Sequence, residues 1–582
     1  MRSKLFFSFR NLTTCCLILG VTSFSTACDS TARIFLRLVQ FDRIQMLSAT
    51  PVKAGQNSFG DTVWVPACNG DAERVRVNFN LKSTQRGGDV EDRDLQIRPS
   101  VDGSVGDAIG KSRVTLGSTV STSELSLDLT CAEEHDPEDI GGACSGTNAP
   151  TALEEDLTFI DHLNGAGRSD GGKLNPVGVA ILIDVSGSTS GTVDNTQLAG
   201  ALSPVCLEGK PGAFEFDTST LQQCQSDNAN FRFAASSDIL QLLNDVDPAI
   251  VFAFSEELGV TVACNIPTLD NPDEPTKLLN CYTTDRRLVV GGDGLPSAFS
   301  DIIGRGAGRS NLWTAVDQAH QYMQTKGELA KHLIVIADGP DTCNQDSVEY
   351  QFCYEFQDFG PEAQEPCGGA VNYSSVRQKI DTYMVGKGAA PNDVHVSFLQ
   401  FQAKGYPSID PRMSEIACMT GGHHLFINTN KIAENSPVRR QSFVDAATKL
   451  RYSLRGHWGL VADIPSYTGD GAGTLSRGTI GSIEGSMTLG ANPMVNIDKT
   501  IPFGFGAASA DQRLHVVKTC RTDADCGTGA GTDECGVRCD SGTGLCNVPP
   551  HGAACAGGIC CEGACAAGLT VCSSDTSPLA CP

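Results

Sequence analysis

Five oxygen-bearing side chains stand where this chain has the means to hold a metal. Asp184, Ser186 and Ser188 close the stretch VGVAILIDVSGSTSG, Ser310 opens GRSNLWTAVDQA, and Asp338 ends LIVIADG. The set has carboxylates and hydroxyls but neither imidazole nor thiolate. Such hard, oxygen-only donors suit Mg2+, with Mn2+ or Ca2+ as alternatives, rather than zinc. Taken singly, the same residues have a plainer use. Ser186 and Ser188 can cap the next element, and Asp338 with Gly339 can form a turn. The two readings part on whether the three segments meet.

They meet only if one sheet carries them. VGVAILIDV is a continuous apolar run, as a parallel strand covered on both faces requires. PAIVFAFS, KHLIVIADG, VHVSFLQF and HHLFIN read as further buried strands. Helical spacing lies between them. FRFAASSDILQLLND sets Phe233, Ile239, Leu240, Leu242 and Leu243 to one side, and SNLWTAVDQAHQYMQTKG stripes Leu312, Val316, Ala319 and Met323 before a stop at Gly327. RMSEIACMTGG and QSFVDAATKLRYSL are two more helices. Strands alternating with helices predict a doubly wound parallel sheet, in which ligands bind beyond the carboxyl ends of the strands. Asp184 and Asp338 fall at such ends, so the loops converge if their strands are neighbours. Asp184 is expected on the exposed loop face.

The pentapeptide DVSGS fits the D-x-S-x-S signature of the von Willebrand factor A (vWA) family and its metal-ion-dependent adhesion site. The order of elements from 176 to 460, about half the chain, is similar to that family's. The resemblance implies a Rossmann-like α/β fold with Asp184, Ser186 and Ser188 as first-loop metal ligands. Ser310 stands where the family usually has Thr, and Asp338 on the acid that reaches the metal directly or through water. It also implies recognition without turnover, in which an acidic side chain of a protein partner completes the octahedron of Mg2+. The chain departs from the family in its inserts. Residues 190–230 separate the signature from the first helix, and Cys206 with Cys224 are candidates to clip that insert. Cys264 and Cys281 are candidates to clip a second loop, and Cys343, Cys353 and Cys367 lie in a third.

Two other classes compete with adhesion. One is a metal-assisted hydrolase on the same residues, which needs a general base near the metal. Glu256 and Glu257, after the second strand, are the candidates for it. The other is a structural envelope protein with a non-binding scaffold. No catalytic residue is assigned. His423 and His424 are adjacent on a strand and so point to opposite faces, one inward and one exposed, which does not suit a shared metal.

The rest of the chain fits an exported protein. Arg2, Lys4 and Arg10 precede the short apolar segment LTTCCLILGVTSF, and STAC offers a cleavage point before Cys28. Cys28 resembles the lipidated cysteine of a bacterial lipobox, with Ser25 in place of the usual aliphatic residue. The expected location is the cell surface, tethered to the membrane through a lipidated Cys28, or secretion. Twenty-five cysteines among 582 residues agree with an oxidising compartment. The formal net charge of -25 argues against nucleic acid as a partner. Five segments are expected: a signal peptide at 1–27, a β-rich sandwich-like module at 28–170, the vWA domain at 176–462, a Gly/Ser-rich β-like connector at 463–515, and a cysteine-rich tail at 520–582. The three cysteines Cys68, Cys131 and Cys144 and the eleven of the tail are odd counts, which one bridge between those two groups would resolve.

Overall fold

The computed structural model describes residues 43–56, 62–68, 74–83, 153–163 and 175–186 of the first third. It further describes most of 227–264, 281–303, 310–343, 367–387, 394–401, 409–427 and 437–462, together with Thr189 and the strand segments named below.

Six strands precede the α/β region: β1 Arg43–Gln56, β2 Thr62–Pro66, β3 Arg74–Ser83, β4 Leu95–Gln96, β5 Leu125–Glu134 and β6 Leu153–Asp161. The α/β region then runs β7 Val177–Asp184, α1 Phe231–Leu242, β8 Ala249–Ser255, β9 Gly259–Val262, α2 Arg287–Val290 and α3 Phe299–Ile302. It continues with α4 Leu312–Gln324, β10 Ala330–Ala337, α5 Tyr373–Lys387, β11 Val394–Phe401, α6 Pro411–Thr420, β12 His424–Ile427 and α7 Pro437–Ser453. After it come β13 Gly456–Ala462, β14 Thr479–Leu489, β15 Lys499–Phe503 and β16 Leu514–Lys518.

The central sheet has the order β12-β11-β10-β7-β8-β9. Its first five strands pair in parallel, and β9 returns antiparallel beside β8. Every residue of β7, β10 and β11 is buried, which explains the apolar run of β7 and the apolar stretch Leu333–Ala337 of β10, while Lys331, His332, His395, Ser397 and Gln400 are buried polar residues of β10 and β11. On one face Val179, Ile181 and Ile183 pack with Ile239 of α1 and Phe443 of α7. On the other, Ala180 and Leu182 share a core with Trp313 of α4, Val376 of α5 and Ile416 of α6. The result is a doubly wound three-layer unit. The chain passes from β7 to β8 on one side and then crosses to β10 on the other. The point where the strand order reverses therefore lies between β7 and β10, where this class of sheet forms its ligand crevice.

The α/β unit is inserted into a β module. Strands β2-β1-β3-β13-β6 form one sheet, with β13 antiparallel to both β3 and β6. Residues 456–462, which their position in the sequence assigns to the α/β unit, thus belong with β3 and β6, strands of the N-terminal part of the chain. The reason is pairing: Trp458 stands opposite Phe79 and Phe159, and both Trp458 and Phe79 are buried. A second sheet, β15-β14-β16, is joined by β5 along β14, so the region expected as a connector is paired with the N-terminal part.

Two devices fix the insert on this frame. Asp247, 1% exposed, accepts from the backbone N–H of Val177 at 2.9 Å and from Arg455 Nη2 at 2.6 Å. Arg455 also donates to the Asn175 carbonyl, so the outgoing and returning chains are tied side by side. A disulfide then joins Cys68 of the β module to Cys418 of α6. That bridge, and not one to the tail, takes up Cys68. Cys520 and Cys539 pair within the tail, where the described pieces are the short strands β17 Arg538–Cys539, β18 Cys546–Asn547, β19 Ala554–Cys555, β20 Gly558–Cys561 and β21 Ala564–Ala567. Among the described residues no helix is long and apolar enough to cross a membrane.

Candidate functional site

Asp184 is the last residue of β7, and it stands opposite Phe254 of β8. Ile183 is paired with Ile336 of β10, so one step further the register sets Asp184 beside Ala337, with Asp338 next along the chain. Two acids therefore end the two strands that flank the reversal point.

The carboxylate of Asp184 is held on both oxygens. Oδ1 accepts from the backbone N–H of Ser186 at 2.8 Å. Oδ2 accepts from Ser310 Oγ, also at 2.8 Å, across 126 residues of sequence. Ser310 lies just before α4, and its carbonyl accepts from the Cys343 N–H at 3.2 Å. Asp341 ties the same two loops together, since its carboxylate accepts from Trp313 N in the first turn of α4 and from Cys343 N, each at 2.8 Å. Asn311, the N-cap of α4, makes no side-chain cap, so Asp341 does this work from another loop. All three predicted segments converge.

Below Asp184 lies a buried ion pair. Arg232 Nη1 meets Asp227 Oδ2 at 2.9 Å, and Arg232 Nε donates to the Asp184 backbone carbonyl at 2.9 Å. Asp227 also accepts from the first backbone N–H groups of α1, at Phe231 and Arg232. Arg232 thus braces the end of β7 through its main chain and spends its charge on Asp227. Among the described residues no Lys or Arg makes an ion pair with the Asp184 carboxylate. Burial pushes the Asp184 carboxyl above the ordinary aspartate range, while the hydrogen bonds from Ser186 and Ser310 and the charge of Arg232 pull it back. Asp227 is raised for the same first reason, burial, against the pull of Arg232.

Asp184 is 0% exposed, Ser186 1%, Ser310 3% and Asp338 2%, which corrects the expectation of an exposed Asp184. Val185, Ser186, Thr189 and Ser310, the described buried residues beside the strand end, surround it. Ser188 lies outside the described residues, as do Cys28, Cys206, Cys224 and Glu257. Thr189 is buried and donates its Oγ1 to the Ser186 carbonyl at 2.8 Å, which closes the first loop on itself. Cys264 and Cys281 form a disulfide, and Cys343 pairs with Cys367. A carboxylate oxygen of Glu256 lies within 4.8 Å of the sulfurs of Cys343 and Cys367. His423 and His424 are not divided into inward and exposed. His423 is 2% exposed, and both ring nitrogens of His424 are hydrogen-bonded, to Ser414 and Gln400. Asp227, Arg232 and Asp341 escaped the sequence reading. Only Asp341 left a trace, three residues after Asp338 in the run DGPD.

No family model matches the chain, and no curated protein matches it. Solved structures do. The vWF domain of the type V pili tip protein Mfa5 from Porphyromonas gingivalis aligns over 48% of this chain and 96% of its own, at 9% identity and a TM-score of 0.26. The PilB minor pilin from Streptococcus sanguinis aligns over 73% of this chain and 96% of its own, at 9% identity and a TM-score of 0.24. The pilus adhesin RrgA from Streptococcus pneumoniae covers 67% and 64%, at 10% identity and a TM-score of 0.19. Superpositions this weak decide neither fold nor function. The fold class rests on strand order and pairing.

Proposed function

We propose that this is an exported surface protein that binds a partner through a divalent cation held at the reversal point of its central sheet. Asp184, Ser186, Ser188, Ser310 and Asp338 would hold the ion. The observation that carries this reading is Asp184 itself: a buried carboxylate at a strand end, met by a hydroxyl from another loop and, among the described residues, in no ion pair with Lys or Arg. A buried anion whose nearby cation, Arg232, is already paired with Asp227 is costly, and a hard cation is what oxygen donors of this kind accept. When bound, the ion supplies positive charge and a coordination position to which a partner's carboxylate can bind.

The chain's own residues do the positioning. Arg232 holds the β7 end by its main-chain oxygen, and Asp341 locks the Ser310 loop against α4. Both act on the backbone around Asp184 and Ser310 rather than on a ligand. The reading is recognition by a completed coordination shell, as the resemblance to the adhesion-site signature implies. Likeness to the vWA signature supports the same reading, as does the leader-like start of the chain.

The test concerns Ser310. Ser310→Thr keeps the hydroxyl that meets Asp184 and is expected to retain Mn2+ affinity in the full chain. Ser310→Ala removes it and is expected to weaken Mn2+ by about tenfold or more. Equal affinity in the two variants would remove Ser310 from the site.

A further inference from the structure

Half of the histidines of this chain meet in one place. Of ten in the sequence, His162, His332, His395, His423 and His457 are all 5% exposed or less and form a continuous ring cluster. His162 stacks on His395 with centroids 4.0 Å apart and lies 5.2 Å from His332 and 5.3 Å from His457. His332 is 4.9 Å from His395, and His423 is 4.5 Å from His457.

The cluster sits where the two units join. His332 and His395 are paired residues of β10 and β11, on the face that packs against α1 and α7. His457 lies on β13 opposite Ile160 of β6, and His162 follows β6 directly. The same face of the β module presents Ser48 and Asn80, which bond His423 and the Lys449 carbonyl of the α/β unit. His332 is in register with Val179, five residues before Asp184, so the cluster is about 16 Å along the sheet from the acidic site, at the opposite end of the strands.

From this geometry we infer that His162, His332 and His395 form a binding site for a divalent ion of the zinc class, at the junction of the β module and the inserted unit. One ring nitrogen of each lies within 4.8 Å of the others. A zinc–nitrogen bond is about 2.0–2.1 Å, which sets tetrahedral ligand nitrogens about 3.4 Å apart. Ring shifts of about 1 Å close the difference. The donors are all imidazole, which selects Zn2+, Co2+, Ni2+ or Cu2+ over Mg2+ or Ca2+.

Packing alone does not account for the cluster. Both ring nitrogens of His162 and both of His457 are buried with no hydrogen-bond partner. Each such polar atom costs about 1–3 kcal/mol unless something satisfies it. The other rings are set as metal-binding histidines usually are, with the far nitrogen fixed by a carbonyl. His395 Nδ1 donates to the Thr420 carbonyl at 2.9 Å, which leaves the lone pair on Nε2. His332 Nε2 donates to the Leu454 carbonyl at 2.6 Å, which leaves it on Nδ1. Burial and mutual repulsion hold His162, His332 and His457 well below the ordinary imidazole value, so the rings are neutral, the form that ligates. His457, its ring centroid 5.3 Å from that of His162 and both its nitrogens without a hydrogen-bond partner, is a fourth imidazole beside the three. An ion here joins β10 and β11 of the inserted unit to the turn that follows β6 and adds a third tie to the Asp247–Arg455 pair and the Cys68–Cys418 bridge.

The test uses the full chain, stripped with a chelator and titrated with Co2+ and Zn2+. One Co2+ per chain with visible d–d absorption, and a melting temperature raised by Zn2+, are expected. His162→Gln should lose both effects, and Asp184→Asn should keep both. X-ray absorption of the Zn2+-loaded wild type gives an answer even if the histidine variant does not fold. At least three imidazole nitrogens are expected in the first shell. A shell of oxygen or sulfur, absence of binding in the wild type, or loss of the signal in Asp184→Asn would each overturn the proposal. The last outcome would place the ion at the acidic site instead.

Discussion

Replacing Asp184 by Asn separates the cost of the buried charge from its use. The isosteric amide keeps both local bonds: Oδ1 still accepts from Ser186 N, and Nδ2 donates to Ser310 Oγ once that hydroxyl turns. What is lost is a negative charge with 0% exposure and no cation in contact. The folded carboxyl is raised, so its stabilising contribution is present below the unfolded pKa of about 3.9 and is lost as pH rises through the folded value. At pH 7 the charge therefore opposes folding of the metal-free chain. Asp184→Asn should melt at or above the wild type when both are stripped of divalent ions. Addition of Mg2+ should reverse the order. An ion at a hundred times its Kd stabilises the wild type by about 2.7 kcal/mol. For a unit the size of the α/β insert, about 2–4 °C per kcal/mol applies, so the shift is about 5–11 °C, with none in the variant. Differential scanning calorimetry with and without Mg2+ reads both limbs. A variant destabilised by more than about 2 kcal/mol without metal, or one that keeps the Mg2+ shift, would refute the reasoning.

Three further outcomes are expected. Gly422→Ala should cost about 3 kcal/mol or more, because a Cβ there lies 2.0 Å from the Val396 carbonyl oxygen, backbone that cannot yield; a denaturation midpoint within error of wild type would contradict the packing. Arg455→Ala should cost about 3 kcal/mol by leaving buried Asp247 without its cation, yet leave Mg2+ affinity unchanged, as chemical denaturation and metal titration on one sample would show. Stability should fall with acidification below about pH 6.5, because burial lowers the imidazoles of His424, to about 4, of His423, to about 3, and of His162, His332 and His457; their neutral forms are favoured in the fold, and that contribution is present above pH 6.5 and lost as pH falls towards the folded values. His424→Gln should make the fall between about pH 6.5 and 4 shallower without abolishing it, and an unchanged slope would remove His424 as one of its sources.

The strands of the central sheet were legible because both faces of β7, β10 and β11 are covered: β7 and the second half of β10 read as apolar runs closed by Asp184 and Asp338, and β11 as a mostly apolar stretch with His395, Ser397 and Gln400 in it. Helix α4 was legible for the complementary reason, a single apolar stripe through Leu312, Val316, Ala319 and Met323. β9 escaped because Gly259–Val262 is four residues of an edge, too short to carry a pattern. β13 was not read as a strand: GHWGLVA follows the closing helix and fell within 176–462 by position alone. GHWGLVA has the grammar of its neighbours in sequence, and only pairing with Val75–Phe79 and with β6 assigns it. The insertion of one unit in another was hidden for that reason.

The acidic site was legible as positions. Asp184 and Asp338 end apolar runs, and Ser310 opens a helix. Its supports were not, because Asp341 and Asp227 act on backbone N–H groups, which no residue type announces. The histidine cluster left almost no sign. Only His423, beside His424, drew notice; the other four are lone imidazoles on otherwise ordinary strands or turns, and His162 and His457 stand 295 residues apart. Their nearness is a product of how the two units dock.

The central claim is that the end of β7 holds a cation for a partner's carboxylate. Calorimetric titration of the full chain with Mg2+, repeated in the presence of acetate as a minimal carboxylate, tests it most directly. One ion per chain is predicted, bound more tightly when acetate is present and not bound by Asp184→Asn. Absence of binding at millimolar Mg2+, or binding that neither acetate nor Asp184→Asn alters, would contradict it.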